Sequence, residues 1–537
     1  MAKNYSSRIQ TENFFPILLV LSYLCIGFVP NWEAVDKIAP QWLVMSILNF
    51  ISAIYVGIYI KSFGLSINVS LRTWISVVYI SFILWAGVSY YYAINPTEVI
   101  VNIARQVNVL LMFLFMSVFF HKVKSKSILI SYFILAILSV EIYAVLNQAM
   151  QMIESSGFIS SGALKGVTAN RNITAFSIAI KIPFALYLTY ISKKNSLKIL
   201  FSIIIFLSIL CLTIIESRAS FIALGLILFS YILLNTVLFL KSKKSKKKLL
   251  VNLYLIVPLF FAVLINQIYY AEKGVDALSR AATISFGTND GSVNQRLRYY
   301  EDVYNHVISN PIFGVGLGNW KLKSIEYDNR DITGYIVPYH AHSDFIQLGA
   351  ELGVIGFLLY LGIFLITVFF GLKIIWKSKI SEKDKVFIFI LIISLGVYSI
   401  DANLNFPIAR PQVLIIWTLL LAIINNYIIN ESKLSEKGVR YKFINPIFII
   451  SSIMALVFCL NITNTTYNSL KGQMVLLRDF NSNAFTVPIN RIDTFVPEMP
   501  NITVTTIPMK SVKARYYFNA KKYDKALELL SEGTKAN

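Results

Sequence analysis

Apolar stretches of about 20 residues, the length a helix needs to cross a hydrocarbon core, alternate along the chain with short polar breaks. About thirteen of them lie near residues 13–30, 41–60, 73–93, 99–120, 128–150, 172–192, 199–216, 219–240, 249–270, 344–372, 386–405, 411–429 and 443–461. The division between the pair flanking Arg218 is the least sharp. The pattern predicts an all-α polytopic membrane protein with about 12–13 transmembrane helices. Two polar stretches are too long to be turns, and they set the organisation: spans in 1–270, a loop over 271–343, further spans in 344–461, and a tail over 462–537.

Within the loop, VNQRLRYYEDVYNHVISNP puts Leu297, Tyr300, Val303, Tyr304 and Val307 at helical spacing, so an amphipathic helix is expected, broken by Pro311 to Trp320 (PIFGVGLGNW). The tail reads as polar from 462 to 512, with Thr, Asn and Pro throughout. Over 513–531 Ala514, Tyr517, Phe518, Tyr523, Ala526, Leu527 and Leu530 take the spacing of a helix pair similar to part of a tetratricopeptide repeat. An amphipathic cap on the membrane helices explains that spacing equally well, since stacked repeats need about three units to be stable.

Composition agrees with the spans: 56% of residues are hydrophobic, 14% are charged, and the mean hydropathy is +0.64. The net charge of +21 would suggest nucleic acid were the basic residues not segregated. Lys61, Arg72, Lys122, Lys124, Lys126, Lys193, Lys194, Lys198, the run KSKKSKKK at 241–248, Lys373 to Lys385 and Lys433 to Lys442 all fall in alternate connections. The positive-inside rule makes these connections and the N-terminus cytoplasmic and the others outward, including the loop and the tail. Nucleic acid is therefore not an expected partner. Cys25, Cys211 and Cys459 lie within spans and imply neither disulfide nor zinc site. No small-residue cleavage site follows the first span, which is read as retained.

Arg105, Glu141, Arg171, Lys181, Glu216, Arg218, Arg296, Arg298, His340, His342, Asp344, Asp401 and Arg410 fall on the outward side or in the outer half of spans. A charge in the bilayer costs at least about 2.5 kcal/mol on insertion scales, so each must pair or line a wet cavity. A structural ion pair is the competing explanation for any one of them. Arginine presents a planar fork of donors to carboxylate or phosphate oxygens, and several together suit a diphosphate. Polyprenyl diphosphate sugars are anionic and membrane-borne in this way. His340 and His342, in PYHAHSDF, stand just before a span, where an imidazole can take a proton from an acceptor hydroxyl. The competing readings are an interfacial hydrogen bond and, with only two other histidines in the chain, a metal pair. There is no GxxxxGK[ST] to cradle a nucleotide, and GVGLGN at 314–319 lacks the strand and helix of a dinucleotide site.

Four segments, GVTANRNITA at 166–175, ESRAS at 216–220, QRLRYYEDVYNHVISNPIFGVGLGNW at 295–320 and HAHSDFIQLGAELGVIG at 340–356, resemble the O-antigen ligase and O-antigen polymerase superfamily. The last is the most specific: His342, Ser343, nine residues, then Gly353-Val-Ile-Gly356. The likeness covers roughly residues 70–430 and implies a GT-C-type, metal-independent, inverting glycosyltransferase of a bacterial inner membrane, without cofactor. Undecaprenyl-diphosphate-linked glycan is the implied donor. By motif, Arg218, Arg296 and His342 take the catalytic roles. Arg298, His340, Arg171, Arg105, Lys181 and Arg410 are expected to bind substrate. Ser343 stands where Asn is frequent in the family, and Tyr299-Tyr300 where Trp is frequent.

The resemblance leaves three acceptors: lipid A core, another glycan repeat, or a periplasmic protein hydroxyl. The histidine motif favours ligation to lipid A core, while the tail, as a possible protein-recruiting element, keeps a protein acceptor in view. The competing class is a lipid-linked glycan transporter working through Lys181 and Glu141.

Overall fold

The computed structural model describes residues 2–123, 125–168, 170–241, 247–270, 277–282, 291–327, 339–431 and 444–537. Lys124, most of the lysine run at 241–248, the basic stretch at 433–442 and much of the 271–343 loop lie outside the described residues. Among those described the chain is helical without a strand, and twelve helices are long and apolar enough to cross a membrane. The first expected span corresponds to a shorter apolar segment, Phe14–Phe28.

Several boundaries depart from expectation for local reasons. The apolar run at 172–192 is two helices, Arg171–Ala179 and Ile182–Ile191, meeting at Ile180 and Lys181. Asn170 caps the first, its side chain accepting from the Asn172 and Ile173 amides. The uncertain pair around Arg218 is divided at Glu216, whose φ of 55° ends Asn195–Ile215 and lets Arg218–Lys241 start. The last span does not stop near 461 but continues as Ile444–Ser482. No proline occurs between 447 and 487, and Ser469, Leu470, Gln473 and Leu476 bury one side of the extension. Its polar composition therefore marks an exit from lipid, not an end of helix.

The helices gather into two compact units, each drawing on three parts of the chain: Met1–Gly27, Phe119–Asn294 and Phe364–Lys433 in the first; Phe28–Val118, Gln295–Ile363 and Leu434–Asn537 in the second. In the first unit, Glu141 of Lys126–Ser156 meets Lys181 at 2.8 Å, and both are buried. Ser177 Oγ donates to Glu141 at 2.8 Å and the Gln412 amide at 2.9 Å, so the carboxylate joins three segments. Lys181 also donates to the Ser177 carbonyl. Such a network satisfies the charges where water cannot.

In the second unit one buried polar cluster is uncharged. Asn49 donates to the Asn108 backbone and side-chain oxygens at 2.9 and 3.0 Å, and Asn108 donates to Ser46 Oγ at 2.8 Å. Ser46 pairs with Thr463 at 3.0 Å. This ties Ala39–Ile58, Pro96–Phe119 and Ile444–Ser482 together, a role hydrophobicity cannot play between helices in lipid. The tail folds against the end of Ile444–Ser482 around Leu476, Val487, Ile492, Val496, Val512, and Leu529. Its expected helix pair is present as Met509–Asn519 and Tyr523–Gly533, with Phe518 and Leu527 left exposed. Asn95 fastens the tail, donating to Asn501 at 2.8 Å and to the Ala536 carbonyl at 2.9 Å.

Lys181→Met leaves Glu141 buried without its cation and is expected to lower stability by about 3–5 kcal/mol, with much of the loss recovered when Glu141→Gln is added. Thermal unfolding of the detergent-purified single and double variants measures both effects.

Candidate active site

The site is built in the second unit where the loop returns to the membrane. Ser343 precedes Asp344–Lys377 and acts at its start, its carbonyl accepting from the Gln347 amide at 2.9 Å and its hydroxyl from the Ile346 amide at 3.4 Å. His342 adopts a left-handed φ of 54°, turning the chain sharply into that helix.

Ten residues on, the helix is interrupted. Gly353 has φ 68° and ψ −175°, a conformation open essentially to glycine alone. The break exposes backbone groups that lipid would leave unsatisfied. Four of these groups find partners in protein. Val315 donates to the Ala350 carbonyl at 3.0 Å, Gly316 to Glu351 at 2.9 Å and the Trp85 indole to Leu352 at 2.8 Å. The Val354 amide donates to Pro311 at 2.9 Å. PIFGVGLGNW is thus a backbone strap around a broken helix. A Cβ on Gly314 would stand 2.2 Å from the Ala350 carbonyl oxygen and one on Gly353 2.1 Å from that of Ile312.

The strap also receives a side chain. Glu351, buried, accepts from the Gly318 amide at 2.8 Å, the Trp320 amide at 3.4 Å and Gln347 Nε2 at 2.9 Å. Gln347 Oε1 in turn accepts from the Ala341 amide at 3.2 Å and contacts His340 Nδ1 at 3.2 Å. Glu351 and Gln347 were hidden among the nine unspecified positions of the histidine motif. The signal available was two polar residues four apart at the start of an apolar helix, hence on one face.

The loop helix Gly291–Ser309 covers this arrangement, but its buried face is not the expected one. Tyr299, Val303 and His306 are buried, Tyr300 and Val307 are partly buried, and Leu297 and Tyr304 are 42% and 65% exposed. Aromatic packing rotates it: His306 lies against Trp320 and Tyr327, with centroids 5.8 and 6.1 Å apart, while Val303 joins Trp320, Ala341 and Ala350. Tyr299 consequently stacks nearly parallel to His342, centroids 6.1 Å apart, and Tyr300 donates to the His342 carbonyl at 3.3 Å. Burial and the nearby Arg296 charge hold the His342 imidazole down at about 4, from an ordinary 6.5.

Arg296, half-buried, and Arg298, exposed, lie on this helix. Arg105, also in the second unit, sits over the Trp42 ring at 5.7 Å. The remaining expected residues belong to the first unit. Arg171 and Arg218 open helices just after sharp turns, Arg410 lies over the Phe406 ring at 5.1 Å, and Lys181 is held in its pair with Glu141. Among the described residues no cluster of three His, Cys, Asp or Glu side chains is placed to hold a metal ion.

Residues 203–361, which include the loop helix, strap and histidines, match the family model described as O-antigen ligase. A Rickettsia conorii protein named "Putative polysaccharide ligase" is 26% identical over 199 residues, 36% of this chain and 43% of that protein. The chain thus spans less than half the length of this relative.

Two outcomes follow from the geometry. Gly353→Ala is expected to cost at least about 2 kcal/mol, seen as a lowered unfolding temperature together with proteolysis at the strap. His342 binds a proton more weakly folded than unfolded, so its neutral form contributes stability above pH 6.5 that is lost as pH falls toward 4. The loss amounts to as much as about 3 kcal/mol, and His342→Gln is expected to flatten this part of the pH–stability curve.

Proposed function

We propose that this chain, whose residues 203–361 match the family model described as O-antigen ligase, is a member of that superfamily and transfers a glycan from undecaprenyl diphosphate to an acceptor hydroxyl, with ligation to lipid A core as the leading reaction. The observation that carries the reading is the convergence, inside the matched segment, of an arginine-bearing helix with a His-x-His turn whose ring environment is shaped by Arg296. Arginine forks complement the charge that develops on a departing diphosphate, and an imidazole relieves the attacking hydroxyl of its proton. Arg296 takes the diphosphate, Arg298 assists, and Arg218 is a further arginine needed for donor use. Attack opposite the leaving group inverts the anomeric centre, and no metal is required.

The alternation of lysine-rich connections supports an inner-membrane chain with its N-terminus in the cytoplasm and its loop and tail in the periplasm. A transporter reading has less support, because Lys181 and Glu141, its natural carriers, neutralise one another. Acceptor choice among lipid A core, glycan and protein is decided by the assay.

Purified protein supplied with undecaprenyl-diphosphate glycan and each acceptor separately is expected to glycosylate lipid A core. Arg296→Ala and Arg218→Ala are each expected to reduce turnover roughly 100-fold or more without loss of folded protein. Full activity in a folded Arg296→Ala variant would remove the proposed role. Transfer to glycan or protein alone would change the acceptor and keep the chemistry.

A further inference from the structure

The first unit carries a groove between two candidate spans, along Asn195–Ile215 and Leu253–Tyr270, that the proposed transfer does not use. We propose that this groove binds one phospholipid with a net-anionic headgroup, its phosphate at Lys198 and its acyl chains along the groove.

The groove has a volume of about 760 Å³ and an apolar body, to which Ile203, Phe206, Val257, Phe261 and Ile265 contribute. Pro258, buried, and Ser202, half-buried, are short side chains among these larger ones and leave the hollow between the two helices. Ile203, Val257, Phe261 and Ile265 are exposed. On a helix that crosses a membrane, such a face meets acyl chains and not water.

The polar groups collect at one end. Lys198 lines the groove near the start of both helices, its ammonium 5.8 Å from the centroid of the Tyr254 ring. Lys193 and Lys194 stand exposed just before Asn195–Ile215, a helix whose start receives no side-chain cap. Among the described residues no carboxylate lines the groove. Lysines beside the positive end of a helix attract a phosphate diester and repel the ammonium of a zwitterionic headgroup. The alternation of basic connections makes this the cytoplasmic end, where basic pockets between spans suit anionic headgroups.

Depth favours a phospholipid over a polyprenyl chain. At a helical rise of about 1.5 Å per residue, the wall from Tyr254 to Ile265 is roughly 16 Å deep. One leaflet's half of a hydrocarbon core about 30 Å thick is roughly 15 Å. The groove therefore accommodates the acyl chains of one leaflet when the phosphate lies at Lys198, whereas an undecaprenyl chain overruns it.

Native mass spectrometry of the detergent-purified full chain tests the site, with phosphatidylglycerol and phosphatidylcholine of the same acyl chains as probes. The first phosphatidylglycerol is expected to bind roughly tenfold more tightly than the first phosphatidylcholine. Lys198→Ala is expected to weaken phosphatidylglycerol about fivefold and leave phosphatidylcholine unchanged, the scale of one interfacial lysine. Lys198→Arg keeps the charge and is expected to stay within about twofold of wild type. Lys377→Ala removes an equal charge from another lysine-rich connection, off the groove, and is expected to change neither affinity. Ser202→Phe fills the hollow and is expected to weaken both lipids. A wild type without preference for phosphatidylglycerol overturns the proposal, as does a Lys198→Ala variant that binds it normally or a Lys377→Ala variant weakened equally. Tighter Lys198-dependent binding of undecaprenyl phosphate than of phosphatidylglycerol overturns the phospholipid assignment. The transferase reading is tested separately, by its own assay.

Discussion

A helix broken inside a candidate membrane span must have its loosened amides and carbonyls paired by protein, and much of the second unit is arranged around that requirement. At Gly353 the partners come from residues 311–316 and from Trp85. The strap must come close enough to donate backbone to backbone, which is why Gly314 and Gly353 face carbonyl oxygens at distances no side chain tolerates. Once seated, the strap leaves the Gly318 and Trp320 amides pointing at Glu351, and Glu351 has only one turn of helix between itself and Gln347. The same strap is anchored from its other side: Asn319 accepts from the Asn95 amide at 2.8 Å, Leu317 donates to Ser89, and Lys321 pairs with Glu98 at 2.7 Å. The geometry of His340 is therefore set by a helix defect rather than by the loop that carries it.

Much of the architecture was legible in hydropathy, because a span leaves a run of apolar residues whatever it packs against. The divisions that hydropathy blurred were decided by backbone conformation, as at Glu216, or by one buried charge, as at Lys181. The 462–482 extension was assigned to the tail because its residues are polar. Helices leaving lipid remain helical when one side still packs, and Leu470, Gln473 and Leu476 supply that side. The loop helix was found and its face misjudged for a related reason. Apolar spacing favoured Leu297 and Tyr304, whereas His306 against Trp320 and Tyr327 gains more from aromatic packing and turns Tyr299 inward.

Candidate residues were legible by type and motif, but not by circumstance. Arg296, His340 and His342 share a unit and a neighbourhood, while Lys181 has the same charge as its companions and a very different setting, closed around Glu141. Spacing cannot show that Lys181 is already neutralised by an acid from another helix. Nor does a motif of fixed histidine and glycines reveal that the residues between them matter. Gln347 and Glu351 acquire meaning only when the strap brings two amides to a carboxylate.

Two histidines two residues apart might be expected to share one environment, yet the turn between them separates their chemistry. Ala341 is buried beside Val303, Trp320 and Ala350, pinning the middle of the triplet. On one side of that pin, His340 faces a polar chain ending in a carboxylate; on the other, the left-handed backbone at residue 342 directs the second ring against Tyr299. Burial and the neighbouring Arg296 guanidinium disfavour protonation of that second ring. The two rings thus meet neighbours on different elements, one on the strapped helix and one on the loop helix.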